Sequence, residues 1–118
     1  MRIGHLAINV RDADRSSRFY LDELGLEGTA VKEEWGVRLR LDGGFMFALI
    51  EGEPLPENLQ DRVHFGCDVA DADAVHQIRE RLRLAGIREV EWTEEDGYTS
   101  LKVLDPDGYV VELSWDIQ

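Results

Sequence analysis

The sequence predicts an α+β protein built from two tandem βαβββ modules whose sheets curl to enclose a cleft. Three observations predict it. The segment HLAINVRDAD at 5–14 aligns with HFGCDVADAD at 64–73, half the 118-residue chain away, with His, Val, Asp, Ala and Asp at equivalent places. Further matches follow in the same order, Gly25-Leu26 with Gly86-Ile87 and Gly44 to Leu49 with Gly108 to Leu113, as duplication of a folding unit requires. Each copy also switches from strand alternation to helical spacing and back to short strands.

The first strand of each copy alternates strictly. Leu6, Ile8 and Val10 share one face and His5, Ala7 and Asn9 the other, as Phe65, Cys67 and Val69 oppose His64, Gly66 and Asp68. A helix follows, with Asp12 or Asp14, and Asp71 or Asp73 in the second copy, placed to accept from its free N–H groups. Gly25 and Gly86 end these helices, since glycine adopts the left-handed conformation after a last turn. Val75, Ile78, Leu82 and Ala85 form the apolar stripe of the second helix; Phe19, Tyr20 and Leu24 serve the first. Three strands complete each module, at 28–32, 37–41 and 45–51, then 89–93, 99–104 and 109–115, the last two joined by Asp42-Gly43-Gly44 and Asp105-Pro106-Asp107-Gly108. The expected organisation is one domain over 1–118, with module 1 at 1–53, a linker with two prolines at 54–62 and module 2 at 63–118.

Bulk properties narrow the function. The chain is long enough for one core and has no run of eighteen apolar residues, so no membrane partner is expected. Its N-terminus does not resemble a secretory signal, and a cytoplasmic location is expected. The lone Cys67 lies in an apolar strand and is expected to be a buried, inert thiol. A net charge of −12 without a basic patch argues against nucleic acid.

A four-stranded sheet with a helix on one face leaves the other free to line a cleft. By alternation that face carries His5, Ala7 and Asn9; Met46, Ala48 and Ile50; His64, Gly66 and Asp68; and Val110, Glu112 and Ser114. Glu112 is thus a carboxylate on an otherwise apolar strand, in need of a cation or strong donors. His5 and His64 are equivalent by the repeat, and Ala48 is equivalent to Glu112. Two imidazoles and one carboxylate suit a first-row divalent metal with open positions for a ligand.

The opening His5 strand, the DADRSSRFYLDELGL helix, the HFGCDV strand and above all the closing DPDGYVVEL motif resemble the glyoxalase, bleomycin-resistance protein and extradiol dioxygenase superfamily, the vicinal oxygen chelate proteins. The resemblance covers essentially the whole chain. It implies metal ligands at His5, His64 and Glu112 and a substrate that chelates through two adjacent oxygens. It departs from glyoxalase I and methylmalonyl-CoA epimerase at Ala48, where those enzymes carry a fourth ligand, Glu or Gln. The resulting three-ligand pattern is that of extradiol dioxygenases, although His76 on its helix leaves no histidine for the acid or base of ring cleavage.

The expected function is therefore a divalent-metal enzyme, dioxygenase-like or lyase-like, with Fe2+ or Mn2+ favoured and Zn2+ or Ni2+ compatible. The alternative is a small-molecule binding protein of the bleomycin-resistance type without catalysis. Arg38, Arg40, Ala48 and Trp35 are the candidate substrate-binding residues, the arginines for an anionic group. Trp92 and Tyr98 stand near loops, where packing or contact with a planar ligand are both open. The resemblance also implies a homodimer.

Overall fold

The computed structural model describes residues 1–117. They form strands β1 (His5–Val10), β2 (Gly28–Glu33), β3 (Gly36–Leu41), β4 (Met46–Glu51), β5 (His64–Asp68), β6 (Glu89–Glu95), β7 (Tyr98–Leu104) and β8 (Val110–Asp116). The helices are α1 (Ala13–Arg18), α2 (Glu57–Gln60) and α3 (Ala72–Leu84), with α1 continuing as a π-helical turn over Phe19–Glu23. Two four-stranded mixed sheets result, ordered β1-β4-β3-β2 and β5-β8-β7-β6. In each, the first strand runs parallel to the last and lies at the sheet edge, while the other pairings are antiparallel. The α+β reading with two βαβββ modules is met in the order of its strands and main helices. The chain divides into two compact units, Met1–Leu55 and the part from Pro56 onward.

In the first unit α1 packs on β3 and β4. Phe19, Tyr20 and Leu24 are buried there with Val37, Leu39, Phe47 and Leu49, and the Tyr20 and Phe47 rings meet edge-on with centroids 4.8 Å apart. Asp12 is the cap of α1, accepting the Arg15 N–H at 3.1 Å, and Gly25 at φ 91° turns the chain out. The second unit repeats the plan. Asp71 accepts the Ala74 N–H at 2.7 Å, Gly86 has φ 76°, and Val75 and Leu82 are buried over Leu101, Val103, Val111 and Leu113. Ala85, expected in the stripe, is instead exposed, because it is the C-terminal cap and the helical spacing ends before it.

Two local features lay outside the expected elements. The Pro-flanked segment contains α2, too short for apolar periodicity to announce it. Its Gln60 is buried and donates to the Asp107 carbonyl at 2.9 Å, which ties it to the turn before β8. Within that turn the buried Asp105 carboxylate accepts the Asp107 and Tyr109 N–H groups, both at 2.9 Å. The tight junction sets the entry, and hence the side-chain parity, of β8.

Candidate metal and ligand site

Strand register decides which side chains share a face, since directly paired residues point the same way. In the second unit His64 pairs with Val110, Gly66 with Glu112 and Asp68 with Ser114, while Lys102 and Ser100 of β7 pair with Glu112 and Ser114. The core faces the other way, through Thr99, Leu101, Val103, Val111 and Leu113. Glu112 therefore lies on the face away from α3, as alternation predicts.

Glu112 is not an isolated carboxylate. Its Oε2 accepts from the Tyr98 hydroxyl at 3.0 Å and the Ser100 hydroxyl at 2.9 Å, and its Oε1 lies 3.3 Å from His64 Nε2. The carboxylate side chain is 16% exposed and the imidazole 49%, so one end of the pair is anchored and the other open. Gly66 keeps it open: a Cβ there would stand 3.4 Å from Glu112 Cβ and 3.1 Å from its carbonyl oxygen. Lys102 pairs with Glu91 at 3.1 Å, and this hydrogen bond, with smaller contributions from Glu112 and Tyr98, raises its pKa above the ordinary lysine value.

Ser100 and Lys102 had not been singled out from sequence, and Tyr98 only as an aromatic near a loop. The signal was available as parity, because Thr99, Leu101 and Val103 form a core row that sends their neighbours to the Glu112 face. Trp92 belongs to the opposite face. The Arg79 guanidinium lies 3.9 Å from the centre of its ring and His76 meets it edge-on, so its environment is one of packing under α3. His76 also pairs with Glu94. Cys67 is half-buried rather than fully buried as expected, and its burial, with nearby Asp68, pushes its thiol up to about 11.

The first unit has the same frame with other chemistry. His5, Met46, Arg40 and Thr29 form one cross-strand row, and Ala7, Ala48, Arg38 and Val31 the next. Ala48 thus occupies the place of Glu112, and Arg38 that of Lys102. Arg38 pairs with Glu33 at 3.1 Å, Arg40 is exposed, and both share the face of His5. Trp35 lies in the β2–β3 turn, 36% exposed, beyond the Asn9 and Ile50 row and so at the end of the sheet away from His5. Among the described residues no group of three His, Cys, Asp or Glu side chains forms a set that could hold a metal. His64 and Glu112 are the two expected ligands that come together within one unit.

Duplicated βαβββ modules, a histidine on each opening strand and a carboxylate on the last strand define a class. The chain belongs to the Glyoxalase/Bleomycin resistance protein/Dioxygenase superfamily, whose sequence profile matches residues 2–113. Among solved structures it is similar to a lactoylglutathione lyase from Agrobacterium tumefaciens (23% identity, 96% of this chain and 92% of that one, TM-score 0.72). It is also similar to the fosfomycin resistance protein FosX from Mesorhizobium loti (23% identity, 97% and 91% covered, TM-score 0.78). A third likeness is the oxidase ChaP-H2 (22% identity, 98% and 93% covered, TM-score 0.77). At such identities the likeness is one of fold. No curated protein matches the chain. Among the described residues no helix is long and apolar enough to cross a membrane.

Proposed function

We propose that the chain is a divalent-metal-dependent enzyme in which His5, His64 and Glu112 are the metal ligands and the substrate is a small molecule with two adjacent oxygens. The observation that carries this reading is the aim of Glu112. Two hydroxyls hold Oε2 while Oε1 faces His64 Nε2 at 3.3 Å, leaving a nitrogen and an oxygen donor side by side above a glycine. The donor set fits a borderline metal, Fe2+ or Mn2+ ahead of Zn2+ or Ni2+. Bound there, the ion supplies Lewis acidity to the substrate oxygens.

The chain's own residues do the rest. Tyr98 and Ser100 donate to Oε2, fix the carboxylate's rotation and keep Oε1 turned toward His64. This is the supporting role that hydrogen-bonded neighbours play around metal ligands. Ala48 adds no ligand at the place equivalent to Glu112, so three protein donors leave room for two substrate oxygens, and a dioxygenase-like or lyase-like reaction is compatible with that count. Arg38, Arg40, Ala48 and Trp35 are the proposed substrate contacts. The working unit is proposed to be a homodimer, which would cover the edge strands β1 and β5.

Metal analysis of protein purified without chelator and then offered iron, manganese, zinc and nickel in turn should find about one ion per chain. The double variant His5→Ala, His64→Ala should bind none. No stoichiometric metal in the wild-type protein sinks the proposal. Stabilisation by a cationic glycopeptide without any metal response would favour the binding-protein alternative.

A further inference from the structure

We propose that a pocket beside β3 in the first unit binds an anionic group, a carboxylate or phosphate, carried by the substrate at the end opposite its paired oxygens. The chelating end rests on the metal reading above; the anion site stands on the first unit alone. The pocket, about 300 Å³, is lined by Arg38, Arg40, Leu41, Gly44, Phe45 and Met46. Its charged side chains are both guanidinium groups, in a chain with 25 acidic and 13 basic residues. Arg2 borders it too, since a Cβ on Gly44 would lie 3.5 Å from Arg2 Nη2.

Arg38 supplies the second observation. Its Nη2 is paired with Glu33, yet its Nε is the only buried side-chain nitrogen or oxygen without a hydrogen-bond partner among the described residues. Native proteins leave few such donors, and an anion that accepts from Nε, sharing the guanidinium with Glu33, is the partner that would satisfy it. A larger cavity, about 570 Å³, lies along α3 among His76, Arg79, Glu80, Arg83, Ile87 and Glu89. Its cations have carboxylates, Arg79 with Glu89, Arg83 with Glu80 and His76 with Glu94, and unlike Arg38 none of them keeps a buried donor without a partner. Volume alone therefore does not pick the site; the unspent donor does.

Register fixes where the anion sits relative to the proposed ligand. His5, Met46 and Arg40 lie in one row, so Arg40 is two strand spacings from His5 on the same face, about 10 Å between backbones. Met46 and Ala48 pave the interval, and the small Ala48 side chain keeps it low. The substrate class is thus a short molecule with an apolar body, chelating oxygens at one end and an anion at the other.

The test uses the metal-free full chain at low salt, titrated separately with glutarate and with inorganic phosphate while the arginine Hε resonances are followed. At least one anion should give saturable shifts of Arg38 and Arg40, weakened about tenfold or more in Arg38→Gln and in the exposed Arg40→Gln. Glu33→Gln, which frees the guanidinium, should tighten binding several-fold. No saturable shift with either anion, or equal affinity in the two arginine variants, overturns the proposal. His5→Ala separates the two readings, since it should abolish metal uptake and leave the anion titration unchanged.

Discussion

At the scale of single residues, Glu112 shows how a carboxylate on an apolar strand is made tolerable. Two hydroxyls and an imidazole share its two oxygens, so its partial burial has partners for both. Because Tyr98 and Ser100 touch only Oε2, their removal should loosen the proposed ligand without removing it. Tyr98→Phe and Ser100→Ala should each weaken metal affinity by roughly 10-fold, and together by up to about 100-fold, in a chelator-competition assay. Unchanged affinity in the double variant would show that the hydroxyls serve packing alone. Cys67 makes a pH prediction. Its folded pKa of about 11 lies above the ordinary thiol value of 9.0, so between them the unfolded chain loses a proton that the folded chain keeps. Stability should therefore be full below pH 9 and fall by up to about 2 kcal/mol toward pH 11. Urea titrations at pH 8 and 10.5 should show this fall, reduced in Cys67→Ala. Lys32, raised by its hydrogen bond to Asp14, acts in the same alkaline direction, since its ion pair is lost as lysine deprotonates.

At the scale of elements, the duplicated frame carries two different chemistries. Register places Gly36, Arg38 and Ala48 in the first unit where Ser100, Lys102 and Glu112 stand in the second. Gly36 shows why this exchange is not free. It has φ 149°, and a Cβ there would fall 2.0 Å from the Leu49 carbonyl oxygen, whereas Ser100 occupies the equivalent place in the second copy. Gly36→Ala should thus cost roughly 3 kcal/mol or more in chemical denaturation, since the β3–β4 ladder must open to admit a methyl group. The cap of α3 makes a milder prediction. Asp71→Ala removes the acceptor of the Ala74 N–H and should cost about 1 kcal/mol, with Asp71→Asn recovering most of it. A loss of less than a few tenths would mean that water caps the helix equally well.

For the whole molecule, charge is the governing quantity. A net charge of −12 on 118 residues means that the folded chain works against its own repulsion, which salt screens over about 10 Å at 0.1 M. Raising sodium chloride from about 10 to 300 mM at pH 7 should therefore raise Tm, by an amount that shrinks as the pH approaches the pI near 4.5. A Tm independent of salt would show that local pairs such as Arg79 with Glu89 already offset the excess. The same charge gives the arginine pocket its meaning, because an anion reaching this protein needs a local field opposite to the global one.

What the sequence determined by itself was periodic or repeated: the two modules, an aspartate cap at the start of each helix (Asp12 or Asp14, Asp71 or Asp73), the left-handed exits at Gly25 and Gly86, and the strand parity that puts His5, His64 and Glu112 on the faces away from the helices. Period and capping are local physics, read within a few residues of chain. What only the tertiary structure decided was partnership across strands. The hydroxyls of Tyr98 and Ser100 reach Glu112 from 14 and 12 residues away, Arg38 meets Glu33 across a turn with its Nε unpaired, and Gln60 of the linker helix reaches the Asp107 carbonyl. Such contacts depend on register, which the ladders set as wholes, and on which donors remain unspent once every nearer partner has been taken.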